Sequence, residues 1–139
     1  MNKKTRNIIV LIASIVVVAG AAIGGYVLWN INEYRRIIDG INLEMPDLGM
    51  INDGTFSGSF DARLVSADVE VTVSNHAIMD VRITNHDHGN WEDAIRAEVV
   101  AQRVVDAQSL HVDTVANATN SSLVILSAIQ NALENAMNN

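Results

Sequence analysis

Cysteine is absent from this chain. That gap excludes disulfides, thiol catalysis, cysteine-ligated zinc, iron–sulfur clusters and a lipid anchor on cysteine. Aromatic residues are only 4% of the sequence, which argues against a base-stacking nucleic-acid surface. Cations are also few, with nine Lys and Arg against sixteen Asp and Glu. No nucleophile elbow, P-loop or complete metal-ligand set is present, so a hydrolase or metal-dependent enzyme has little to stand on. At 139 residues there is room for one small domain beside a membrane segment.

What is present begins with a long apolar run. Ile8 to Trp29 carries no charge and is long enough to cross a hydrocarbon core as a helix. Tyr26 and Trp29 sit where an interfacial aromatic belt belongs. Gly20 and Gly24 have the spacing that brings membrane helices together. Lys3, Lys4 and Arg6 precede the run and place the N-terminus in the cytoplasm, so the remainder is expected outside the cell membrane as a single-pass protein. A cleaved signal peptide is the competing reading, with Ala19 to Ala22 near a cleavage site. Beyond the span lie six basic and sixteen acidic residues, a formal charge of minus ten. Such a balance repels nucleic acid and anionic lipid. The expected division is a stub and anchor over 1–29, a linker over 30–52 and a domain over 53–139.

The domain opens with sheet signals. Asp53-Gly54 marks a turn, and Thr55 to Leu64 is a candidate strand interrupted by Gly58. Val69, Val71 and Val73 alternate with polar residues, as do Met79, Val81 and Ile83, with Asn75-His76 suited to the turn between them. Three antiparallel strands in a meander need a cover on one face. His86-Asp87-His88 follows; two His on an extended chain can face one way, but no further metal ligand is evident. Trp91 to Ser109 reads as a helix, with Trp91, Ala94, Ile95, Val99, Val100, Val104 and Val105 on its apolar side. His111 to Val115 is a candidate short strand. The fold class is therefore α+β: an N-terminal membrane helix, then a small antiparallel sheet packed against two helices.

The polar segment Asp113 to Ser122 joins the two helices. Asn117 and Asn120 suit left-handed backbone. Thr119 and Asn120 are good N-caps for a helix beginning at Ser121 and running through Leu133, with Leu123, Leu126, Ile129 and Leu133 toward the sheet and a fraying tail from Glu134. A helix start of this kind is a well-capped terminus. It is also an anion site, because its first N–H groups lack helical partners and its dipole is positive there. The hydroxyls of Thr119, Ser121 and Ser122 add donors.

The same segment resembles the signature of the FMN-binding domain family, Asp-x-x-Ser-Gly-Ala-Thr followed by x-Ser/Thr-Ser. Asp113, Ala118, Thr119, Ser121 and Ser122 match; Ala116 stands for Ser and Asn117 for Gly. Asp53-Gly54-Thr55-Phe56-Ser57-Gly58 is similar to an earlier pattern of that family. The family includes flavin-carrying subunits of sodium-pumping NADH:quinone oxidoreductases and Rnf complexes, and small membrane-anchored bacterial proteins. The resemblance implies FMN joined to Thr119 by a phosphoester that a flavin transferase makes. It also implies that Asp113, Ala116, Asn117, Ala118, Asn120, Ser121 and Ser122 form the cofactor segment, with His86 as a further contact. No metal or catalytic residue is assigned. The expected function is an extracytoplasmic flavoprotein passing electrons from a membrane donor to an outer acceptor. The alternative is a binding or structural subunit of the same fold without flavin, which Ala116 and Asn117 favour.

Overall fold

The computed structural model describes residues 2–89 and 92–138. A 37-residue helix, α1, spans Lys3–Asp39. It is followed by an extended strap with a 3-10 turn at Leu48–Met50, then strands β1 (Gly54–Asp61), β2 (Ser66–Ser74) and β3 (Ala77–Asp87). A 3-10 segment over Glu92–Glu98 leads into α2 (Val99–Ala107), and α3 covers Thr119–Met137. The sheet is antiparallel in the order β1-β2-β3. This is the expected α+β arrangement of one long apolar helix, a three-stranded meander and two helices.

The most hydrophobic 18-residue window of α1 has mean hydropathy 2.7 and is unburied. It is long and apolar enough to cross a membrane, and a signal sequence passes the same test. Past Trp29 the same helix changes role. Tyr34 and Ile38 are buried in the domain core. Residues 30–39 fall in the expected linker, where Glu33 to Ile41 also reads as a short helical extension; they continue the helix, and the strap behind them places Ile51 fully in the core. Arg63, with φ of 73°, lies 4.7 Å from the Trp29 ring centroid, a cation–π contact that ties the β1–β2 loop to the end of the apolar run.

Alternation along β2 is regular, with Ala67, Val69, Val71 and Val73 buried. In β3 it breaks. Val73 pairs with Ile78 and Thr72 with Asp80, so Met79 is the extra residue of a bulge. The bulge turns Ile78 into the core and leaves Met79 58% exposed, the reverse of the alternation read from sequence. The hairpin turn is Asn75-His76, at φ of 50° and 60°, the primed geometry that two-residue hairpins favour. Asp53 holds it, accepting from the Asn75 N–H at 2.8 Å and the Ser74 hydroxyl at 3.0 Å.

The segment expected as one helix from Trp91 to Ser109 is tighter at its start. Residues 92–98 are 3-10, and the α-helix ends at Gln108, which is left-handed at φ 52°. Its side-chain amide then pairs with β3, accepting from Ile78 N–H and donating to Ile78 C=O, both at 2.8 Å. Val100, Ala101 and Val104 face inward, whereas Ile95 and Val99 are exposed. Trp91 and Asn90 lie outside the described residues. No strand forms at His111 to Val115. Arg103 occupies the carbonyls of Asp113 and Thr114 that a neighbouring strand would have used.

The central element is α3. Val124, Ile125, Leu126, Ala128, Ile129, Ala132 and Leu133 are all fully buried. It runs to Met137, past the expected fraying point at Glu134, because Ala136 is buried and Asn135 bonds the sheet. Asn131 and Asn135, one turn apart, donate to the Ser59 and Ser57 carbonyls of edge strand β1, at 2.7 and 3.0 Å. Gly58 between them makes the contact possible. A Cβ there would lie 2.3 Å from both the Ala128 carbonyl oxygen and the Ala132 nitrogen. Gly58→Ala is therefore expected to lower the unfolding free energy by about 1–3 kcal/mol or more. Denaturant titration of the detergent-solubilised full chain measures it.

Candidate functional site

The polar loop closes on itself before α3 begins. Ala118 N–H donates to Val115 C=O at 3.0 Å, and Asn117 takes φ of 63°. Asn carries that left-handed backbone at lower cost than most side chains. Ser122 N–H then donates to Ala118 C=O at 2.9 Å, which makes Ala118 the first acceptor of the helix and its cap. The expectation of Thr119 or Asn120 as cap is corrected here. Both lie inside the first turn, and Ala118 supplies no side-chain cap. The leading N–H groups of this 19-residue helix are thus without a capping oxygen from the chain.

The three hydroxyls have different fates. Ser122 is fully buried and its hydroxyl is spent on the loop, accepting from Val115 N–H at 3.1 Å and donating to Ala118 C=O at 2.9 Å. It is a staple, not an outward donor as expected. Thr119 is exposed at the first helical position. Ser121 is 3% exposed, yet it lines a cavity and its hydroxyl has no partner among the described residues.

That cavity has a volume of about 530 Å³, within the size range of small-molecule sites. Residues 117–121 form one wall, Ala94 of the 3-10 segment contributes another, and Tyr34 and Arg35 of α1 complete it. Asn120 fastens the walls together, its amide donating to the Tyr34 hydroxyl at 2.9 Å. An open helix terminus, free hydroxyls and an arginine around one space suit a phosphate group.

Other residues named from sequence lie elsewhere. Asn117, Ala118, Thr119, Asn120 and Ser121 line the cavity, but Asp113 and Ala116 do not. Asp113 is exposed on the far side of the loop, beside Arg103 and His111, where its carbonyl takes the Arg103 guanidinium at 2.5 Å. His86 is also away from the cavity. Its side chain is 2% exposed, with Nδ1 3.2 Å from Glu98 Oε1 and its ring edge-to-face with His88 at 5.3 Å. Among the described residues no three His, Asp or Glu side chains converge as a metal set. Sequence reasoning missed Tyr34, Arg35 and Ala94. No sequence signal marked Arg35, since Asp39 stands four residues on at helix-pairing distance; only the structure puts it at the cavity.

A small α+β domain with a cavity at an open helix terminus is an arrangement that suits a phosphorylated ligand. Comparison with family models narrows the class. Residues 66–134 match the model described as FMN-binding domain. This segment, which takes in β2, β3, α2, the polar loop and most of α3, supports placing the domain with the FMN-binding domain family. The Asp53 to Gly58 pattern lies ahead of the match. No curated protein matches the chain.

The two serines separate by experiment. Ser122→Ala strips Val115 N–H of its partner and is expected to cost about 1–3 kcal/mol of stability. Ser121→Ala removes a hydroxyl that bonds nothing in the chain and is expected to leave the unfolding midpoint unchanged. Thermal melts of the two variants make the comparison.

Proposed function

We propose that this chain is a membrane-anchored flavoprotein that carries FMN on Thr119 outside the cytoplasm and relays electrons between a membrane donor and an outer acceptor. The observation that carries this reading is the coincidence of the family's segment with the cavity: the Thr of the motif is the exposed hydroxyl at the open start of α3.

The residues divide the work. The uncapped N–H groups and the dipole of α3 hold a phosphate, and the hydroxyls of Thr119 and Ser121 stand beside it. Asn117 keeps the turn that aims Thr119 at the cavity, and Ser122 locks the loop beneath it. Attachment requires an activated, pyrophosphate-linked flavin. The Thr119 oxygen bonds the flavin-side phosphorus, the pyrophosphate P–O bond breaks, a nucleoside monophosphate leaves, and the hydroxyl proton passes to a base of the transferase. Bound FMN supplies one- and two-electron transfer, with the protein setting orientation and potential. A covalent link suits a compartment where a lost cofactor is not replaced.

Orientation follows the charge on the two ends of the apolar run, with Lys3, Lys4 and Arg6 retained inside. Arg35 lies six residues past Trp29 on one continuous helix, which sets the cavity roughly 9 Å further along the axis. A flavin there is within reach of a donor in the membrane. The position also includes residues 30–39 in the functional unit, not in a spacer.

Intact-mass analysis of protein made with a flavin transferase tests the reading. Wild type is expected to gain one FMN and to stay yellow after denaturation and filtration, and Thr119→Val is expected to remain a bare polypeptide. A bare wild type that also fails to bind added FMN would favour the same fold working without flavin, as the Ala116 and Asn117 departures suggest.

A further inference from the structure

We infer that Arg35, at the outer end of the membrane helix, is the cation that neutralises the cofactor's phosphate, so that the anchor is part of the binding site. This deepens the flavin reading and rests on it.

Charge bookkeeping beyond the apolar run leads to Arg35. The six cations there are all arginines. Five are engaged: Arg36 with Glu33, Arg82 with Glu70, Arg96 with Asp93, Arg103 with the loop carbonyls, and Arg63 over Trp29. Of these six arginines, only Arg35 has no ion pair, hydrogen bond or ring contact among the described residues. It is also the only cation lining the cavity. A region with a formal charge of minus ten repels an anionic ligand, so a local positive charge is needed. Part comes from the helix terminus, whose dipole amounts to roughly half a charge. An unpaired guanidinium supplies a whole one, and its planar fork suits phosphate oxygens.

A second observation points to the same ligand. Ser121 is 3% exposed as a residue, lines the cavity, and its hydroxyl has no partner among the described residues. Its hydroxyl is therefore open toward the cavity and available to a ligand oxygen. Ser121 from α3 and Arg35 from α1 flank the same space, and the Asn120–Tyr34 hydrogen bond holds their two helices in register.

The test uses the full chain in detergent, made without transferase, titrated with FMN and with riboflavin and followed by flavin fluorescence. Riboflavin lacks the phosphate and serves as the internal control. Wild type is expected to prefer FMN. Arg35→Gln should weaken FMN about tenfold, the scale of a lost charge-assisted hydrogen bond, and leave riboflavin unchanged. Arg35→Lys should recover part of the preference, and Arg36→Gln should change neither ligand. Thermal melts establish that each variant is folded. Equal weakening of both flavins in Arg35→Gln would make Arg35 a packing residue and overturn the inference. So would unchanged FMN affinity, or a wild type without preference for FMN. The mass of the protein made with transferase decides the flavin reading separately: a flavinylated wild type alongside an indifferent Arg35→Gln would sink the role of Arg35 alone.

Discussion

Everything at the cavity depends on how closely α3 lies on β1. Helix backbone meets strand backbone at Gly58, with no room for a side chain between them. Asn131 and Asn135 clasp the strand on either side and satisfy edge carbonyls that otherwise face water or another chain. Apolar burial along the rest of the helix holds it in place but is non-directional. The glycine contact and the two amides set its position along the strand. That position carries the first turn of α3, and Thr119 with it, to the side of α1.

The second constraint is the mounting of the domain on its own apolar helix. The helix continues without a break from the stretch that suits a membrane into the domain core, where Tyr34 and Ile38 are buried. Trp29 beneath Arg63 and Tyr34 bonded to Asn120 fix it at two heights. A domain on a flexible tether samples many distances from a membrane surface. This one has a height set by a helix, and its cavity borrows a wall from that helix.

Much of the fold was legible because it follows from periodicity. The β2 valines alternate, the glycines and asparagines punctuate, and the last helix is apolar nearly all round. What failed did so for local reasons. Met79 and Ile78 exchanged faces through one extra residue in β3, which no alternation pattern can register. His111 to Val115 has strand-like composition, yet it formed no strand and its Asp113 and Thr114 carbonyls meet the Arg103 guanidinium instead. The cofactor motif was recognisable as a string, but the string does not say which of its hydroxyls faces outward. Ser122 turned out to be a staple and Ser121 an open donor, a difference decided by the hydrogen bonds of the loop.

Local chemistry along the chain was enough to establish an apolar helix and a three-stranded sheet with its covering helices; the loop ending at Thr119 was read through its resemblance to the FMN-binding family. Patterns of that sort act between neighbours in sequence, through alternation, helical period and turn preference. Which distant side chains share a cavity was settled only by folding. Arg35 and Thr119 are separated by most of the domain in sequence, and they line one space because α3 is seated on Gly58 and α1 is pinned by Asn120. A site formed where two helices meet depends on their packing, and packing is a property of the whole chain.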